Sequence, residues 1–235
     1  MLRGMDAARR LAVRAEDRRT SLIHGRGLYL ILTSPVIPHV ELAAAACERG
    51  VPALQLREKN MTDEKLIRLA CEIADITRNT RTLFVVNDRP DIAAVAGADG
   101  VHLGRSDGSL PAARDLLGRD ALIGLSTRTP DEAEAARVSG ADHIGVGPVF
   151  HTDTKPDALA PIGLSGLRRV AARTPNLPIV AIGGITRGRA KDVLDTGAQY
   201  VAVISAVCHA DDPLEAIDAF QARIADGTTE TTGDR

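Results

Sequence analysis

A chain of 235 residues that is 44% hydrophobic and 26% charged carries material for one large core, and its formal net charge of -2 with 2% aromatic residues excludes a broad basic footprint or a base-stacking platform for nucleic acid. Cys47, Cys71 and Cys208 form no C-x-x-C, no disulfide framework and no zinc spacing, which points to a reducing cytoplasm. No apolar run approaches the length of a membrane span, and the first residues lack the apolar stretch of a secretory signal, so a soluble chain is expected.

In chain order, residues 1–26 come first, rich in Arg and Ala with Asp6, Glu16 and Asp17 interleaved. Transit peptides avoid acids, so the segment reads as an N-terminal extension, a frayed helix. From there apolar runs ending in polar residues alternate with stretches of helical period. The runs are Leu28 to Thr33, Val51 to Lys59, Leu83 to Asp88, Gly100 to Asp107, Ala121 to Ser126, His143 to Lys155, Ile179 to Gly184 and Tyr200 to Ser205. Helices are expected at Glu41 to Arg49, Asp63 to Thr77, Asp91 to Ala96, Leu110 to Leu117, Pro130 to Val138, Leu164 to Ala172, Arg187 to Leu194 and Pro213 to Ile224. A weak repeat, Gly97-Ala98-Asp99, Gly140-Ala141-Asp142 and Gly197-Ala198-Gln199, marks the return from helix to strand, each Gly able to take the left-handed turn that stops a helix. Eight such units predict a single α/β domain, a (β/α)8 TIM barrel over residues 27–226, whose strand-end polar residues converge on one face. A doubly wound open sheet is the competing architecture, because periodicity cannot see closure. Residues 227–235 hold no apolar group to bury and are expected to be a disordered tail.

Several strand ends carry chemistry. Residues two apart on a strand share a face, so Gln55, Arg57 and Lys59 put two cations and an amide on one side, a site for an anion. Asn87-Asp88 and Asp107 close the next two runs, and two carboxylates from adjacent strands suit a Mg2+ ion completed by substrate phosphates. Each Asp is also placed to cap the following helix, near Pro90 or Leu110; the nearby cations favour metal. The stretch from Gly147 to Pro156 holds Thr152, Asp153, Thr154 and Lys155 between two prolines, a loop able to close over a phosphate or an ordinary solvated one. Gly183-Gly184 and Ile204-Ser205 stand after the seventh and eighth strands, where barrels commonly bind phosphate. Ser126 is a contact in the barrel mouth or part of a helix cap. His102 alternates with apolar neighbours and reads as a core or supporting residue, while His143 and His151 have no Ser or Cys partner nameable from sequence.

Taken in order, Gln55-Leu56-Arg57-Glu58-Lys59, Asn87-Asp88-Arg89, Gly100-Val101-His102-Leu103-Gly104 with Asp107, Gly124-Leu125-Ser126, Gly147-Pro148-Val149-Phe150 with Thr152-Asp153-Thr154-Lys155, and Ala181-Ile182-Gly183-Gly184-Ile185 resemble thiamine-phosphate synthase, a family of transferases. The resemblance spans roughly Leu28 to Asp212. It implies condensation of 4-amino-5-hydroxymethyl-2-methylpyrimidine diphosphate with a thiazole phosphate, through a dissociative path, to give thiamine monophosphate and pyrophosphate. By matching motif, Gln55, Arg57, Lys59, Asn87, Ser126 and Lys155 would hold the pyrimidine diphosphate. Asp88 and Asp107 would hold Mg2+, and Thr152, Thr154, Gly184, Ile204 and Ser205 the thiazole phosphate. Leu56, Glu58 and Asp153 join the substrate-binding set as members of the same motifs, and Arg57, Lys59, Lys155 and Ser126 would act on the reacting groups. Arg105 and His151 depart from the usual pattern, where Gln and Pro are frequent. The partners implied are small molecules, with neither nucleic acid nor membrane, and a homo-oligomer is compatible with the chain. Two rivals are a thiazole tautomerase on the same barrel and a non-catalytic thiazole phosphate sensor; neither needs the cations and both carboxylates together. A pentose-phosphate epimerase barrel fits less well, for it needs acid/base residues instead.

Overall fold

Val, Ile and Leu in runs of four to six residues, too short for helices and buried on both faces, produce eight parallel strands among the described residues. In the computed structural model, which describes residues 20–22, 24–105, 108–154 and 159–226, these are β1 (Gly27–Leu32), β2 (Ala53–Leu56), β3 (Leu83–Asn87), β4 (Gly100–Leu103), β5 (Leu122–Thr127), β6 (His143–Val146), β7 (Ile179–Ile182) and β8 (Tyr200–Val203). Each pairs in parallel with the next, and β8 pairs with β1, closing the barrel and ruling out the open sheet. The helices are α1 (His39–Glu48), α2 (Asp63–Thr77), α3 (Pro90–Ala96), α4 (Leu110–Leu117), α5 (Pro130–Val138), α6 (Gly163–Arg173), α7 (Ala190–Leu194, entered through a 3-10 turn at Arg187–Arg189), α8 (Ser205–Cys208) and α9 (Pro213–Ala225). Only the four-residue α8 has no counterpart in the periodicity, which it is too short to show. No helix among the described residues is long and apolar enough to cross a membrane.

Local chemistry fixes the element ends. Thr129 and Glu132 form a reciprocal capping box at the start of α5, and the Asp212 carboxylate accepts from the Leu214 and Glu215 amides at the start of α9. The repeated glycines Gly97, Gly140 and Gly197 take φ of 67°, 88° and 102°, as a helix stop requires. The third residue of each repeat has a further task. Asp99 Oδ2 accepts from the Phe84 amide (2.8 Å), Asp142 Oδ2 from Ile123 (2.8 Å) and Gln199 Oε1 from Ile179 (2.7 Å), so each repeat ties down the beginning of an earlier strand.

Alternation along the strands then splits the apolar residues into two cores. Leu28, Leu30, Leu32, Leu54 and Leu56 point outward, into the layer shared with the helices. Tyr29, Ile31, Ala53, Leu83, Leu122, Val180, Tyr200 and Ala202 point inward and pack with Leu22. The Tyr200 hydroxyl contacts the carbonyls of Ser21 and Leu22 at 3.0 and 3.2 Å. The barrel floor is therefore filled, while the inward positions nearer the strand ends are polar: Gln55, Asn87, His102 and Ser126. Residues 1–19 and the tail 227–235 lie outside the described residues.

Candidate active site

The strand ends surround a cavity of about 1260 Å³. At its base the buried Gln55 donates from Nε2 to the Tyr29 hydroxyl (3.0 Å). Burial raises the Tyr29 pKa well above the ordinary phenol value, outweighing the opposing hydrogen bond from Gln55, so the hydroxyl stays neutral. Beyond the end of β2, the Arg57 amide donates to the Leu32 carbonyl (3.0 Å) and the Arg57 carbonyl accepts from Thr33 Oγ1 (2.9 Å), which fixes the backbone from which the guanidinium enters the cavity.

Lys59 and Asp88 face each other across the β2 and β3 loops, Nζ to Oδ2 3.2 Å. The other carboxylate oxygen of Asp88 accepts from the Gly104 amide (3.3 Å), and the Asp88 amide donates to the His102 carbonyl (2.8 Å). Asp88 has a φ of 61°, a left-handed conformation that Asp tolerates better than most residues and that turns the chain sharply out of β3. Helix capping does not account for the Asp88 side chain. The cap of α3 is Arg89, with no side-chain bond, and α4 is capped by Ser109, which accepts from Ala112. Ser126 is equally not a cap, since Thr129 has that place on α5.

Ser126 Oγ lies 3.1 Å from His102 Nε2, and His102 Nδ1 lies 3.3 Å from Nε2 of the buried His143. Burial lowers the pKa of His102 to about 4 despite the opposing influence of Asp88. It lowers that of His143 to about 3, with His102 contributing in the same direction. Both rings are neutral at ordinary pH.

On the opposite wall, Thr152, Asp153 and Thr154 line the cavity; the Thr154 amide donates to Thr152 Oγ1 (3.3 Å), and Thr154 Oγ1 lies 3.4 Å from Ser205 Oγ at the start of α8. The Asp153 carboxylate is almost fully exposed beside His151. Gly184 (φ 60°) and Ile204 complete this wall, and a Cβ on Gly184 would stand 2.1 Å from the His151 carbonyl oxygen.

The structure thus gathers Gln55, Arg57, Lys59, Asn87, Asp88, Ser126, Thr152, Asp153, Thr154, Gly184, Ile204 and Ser205 around one cavity. Leu56 and Glu58 are not among its lining residues. Leu56 points into the outer core, and the Glu58 carboxylate accepts from the amide and hydroxyl of Ser34 and lies 2.7 Å from His39 Nε2. Period-two alternation sends them away from the face that Gln55 and Arg57 occupy. Asp107 and Lys155 lie outside the described residues. The lining residues that the sequence did not mark as site residues include His102 and Arg189. His102 was masked by its apolar neighbours. Arg189, whose Nη1 donates to the Gly184 carbonyl (2.9 Å) while its guanidinium sits 4.4 Å from the centre of the Phe150 ring, had as its only signal a cation shortly after Gly183-Gly184.

Among the described residues no three His, Cys, Asp or Glu side chains group as an all-protein metal site. The cavity wall offers instead one fixed carboxylate, Asp88, and a hard-oxygen donor of that kind suits an ion whose remaining ligands come from water and phosphate.

The family model for thiamine monophosphate synthase matches residues 28–207. A thiamine-phosphate synthase of Moorella thermoacetica is 45% identical over 188 residues, 79% of this chain and 89% of that protein. One of Methanoregula boonei is 46% identical over 186 residues, 79% of this chain and 86% of that protein. Among solved structures, thiamine phosphate pyrophosphorylase from Pyrococcus furiosus superposes with a TM-score of 0.77 at 35% identity, covering 86% of this chain and 97% of that one. With the family model matching residues 28–207 and relatives about 45% identical over most of their length, the chain belongs to the thiamine monophosphate synthase family.

Proposed function

We propose that the protein is a transferase of thiamine biosynthesis, a thiamine-phosphate synthase that joins 4-amino-5-hydroxymethyl-2-methylpyrimidine diphosphate to thiazole phosphate, releasing pyrophosphate. The observation that carries this reading is the presence of two unlike anion-binding walls in one cavity. Arg57, Lys59 and Asp88 stand on the β2 and β3 side, and hydroxyls, glycine and the single cation Arg189 on the described part of the β6 to β8 side. A diphosphate and a monophosphate need just such a division, because the first carries more charge and calls for cations, while the second can be held by hydroxyl and backbone donors.

The electron balance is simple. The C–O bond between the pyrimidine methylene and the diphosphate breaks with its electron pair going to pyrophosphate, and the thiazole nitrogen supplies a new pair to the methylene carbon. Negative charge grows on the leaving group, where Arg57, Lys59 and Lys155 stabilise it more strongly than in the bound substrate. The attacking nitrogen has no proton to lose, so no general base is required. Asp88 and Asp107 are the residues that would hold Mg2+, which when bound neutralises diphosphate charge. Lys59 and the Gly104 amide keep the Asp88 carboxylate directed along the cavity wall for that purpose.

The test is incubation of the purified protein with both substrates and Mg2+, following thiamine monophosphate and pyrophosphate together, with an EDTA control. Equal, metal-dependent yields of the two products are expected. Thiazole phosphate binding without any coupling would overturn the reading in favour of a tautomerase or a sensor.

A further inference from the structure

We propose that His143 is a positioning residue that fixes the direction of the hydrogen-bond chain His143–His102–Ser126, so that Ser126 turns its hydroxyl proton into the cavity. The inference rests on the reading of that cavity as a pyrimidine diphosphate site. His143 is 1% exposed and does not line the cavity, so it acts through its neighbour. Strand register brings this about: His102 on β4 pairs with Gly124 on β5, which pairs with His143 on β6, so the two imidazoles meet over a residue without a side chain. A Cβ on Gly124 would stand 2.1 Å from His143 Nε2 and 2.5 Å from His102 Nδ1, and one on Gly145 would stand 2.9 Å from His102 Cε1. Two glycines thus leave the room that the pair fills, with ring centres 5.4 Å apart.

A neutral imidazole donates from one nitrogen and accepts at the other, so the contacts of 3.3 and 3.1 Å admit two consistent directions. In one, His143 Nε2–H donates to His102 Nδ1, His102 Nε2–H donates to Ser126 Oγ, and the Ser126 proton is free to point at a ligand. In the other every donor is reversed, the Ser126 proton is held by His102, and His143 carries its proton on Nδ1. That Nδ1 is buried and has no hydrogen-bond partner among the described residues. A buried N–H without an acceptor is rarer in folded proteins than an under-used acceptor, so the first direction is selected. Ser126 then meets its ligand as a donor, suited to a pyrimidine ring nitrogen or a phosphate oxygen.

Long-range 1H–15N spectra of the 15N-labelled, substrate-free protein at pH 7.5 read each histidine tautomer directly, with His143→Gln and His143→Phe supplying assignments. His102 and His143 are both expected to be protonated at Nε2. In His143→Gln the side-chain amide replaces the Nε2 donor and the His102 tautomer is retained. In His143→Phe the donor is lost, His102 no longer holds a single tautomer, and KM for the pyrimidine diphosphate rises about tenfold, the worth of one hydrogen bond. KM for the thiazole phosphate stays unchanged, and His143→Gln restores the first KM. A wild-type His102 protonated at Nδ1, or a His143→Phe variant with unaltered tautomer and KM, would overturn the inference. Should His143→Phe fail to fold, the wild-type spectrum decides alone. It also decides if the protein makes no thiamine monophosphate, which would sink the functional reading separately.

Discussion

Lys59 is half exposed, so its 3.2 Å contact with Asp88 contributes at most about 1 kcal/mol to folding. Under the proposed function its worth lies in the charge it would offer a diphosphate. Lys59→Ala should therefore leave the unfolding midpoint nearly unchanged while lowering kcat by about 10² to 10³, the loss typical of removing one preorganised donor to a developing negative charge. Steady-state kinetics beside a denaturant melt separates the two effects; a large loss of stability with normal turnover of the remaining folded enzyme would contradict the assignment. For Arg57, replacement by Lys should restore only part of the activity lost in Arg57→Ala, because a point charge cannot reproduce the two-pronged contact of a guanidinium with a diphosphate. Equal kcat/KM for Arg57→Lys and wild type would show that only charge matters there. The cation face itself was legible in the sequence, since Gln55, Arg57 and Lys59 alternate at strand period. Tyr29 as the buried partner of Gln55 was not, for the two are 26 residues apart and meet only through β1–β2 pairing.

At the level of elements, the Gly-Ala-Asp repeat shows how a sequence signal gains meaning from its surroundings. The glycine that stops the helix follows from local sterics, and its left-handed φ was foreseeable. The strand amide satisfied by the following Asp or Gln lies 15 to 20 residues away, beyond the reach of a local reading. Asp142 accepts from the Ile123 amide while Arg114 Nη2 approaches the same oxygen at 2.6 Å. Asp142→Ala should cost about 2 to 3 kcal/mol, because it strands the buried Ile123 amide and removes the carboxylate partner of Arg114 Nη2. The urea midpoint should fall accordingly, with kcat unaltered at saturating substrate, since Asp142 sits at the filled end of the barrel. A shift below about 0.5 kcal/mol would show that water replaces the carboxylate. Gly124→Ala would act through overpacking: its methyl has nowhere to go between the His102 and His143 rings, and a loss of about 1 to 3 kcal/mol is expected in the same melt.

For the molecule as a whole, stability should carry the mark of the buried imidazole. The folded-state pKa of His143, about 3, lies below its unfolded value, so between roughly pH 6.5 and pH 3 the unfolded chain binds a proton that the folded chain refuses. Its contribution is fully present above that window and is lost as the pH falls through it. Between pH 6.5 and 5.0 the wild type should lose about 1.5 kcal/mol more than His143→Phe, measured by urea unfolding at each pH, and parallel slopes for the two proteins would refute the assignment. What the sequence determined by itself was everything that repeats at short range: strands and helices in alternation, glycine stops, and polar residues at the ends of apolar runs, because side-chain direction and turn sterics depend on a few neighbouring residues. What the tertiary structure decided was closure of β8 onto β1, the outward turn of Leu56 and Glu58, the arrival of Arg189 on the cavity wall, and the meeting of His102 with His143 across Gly124. Those depend on which strands become neighbours and in what register, a property of the whole barrel that no single segment contains.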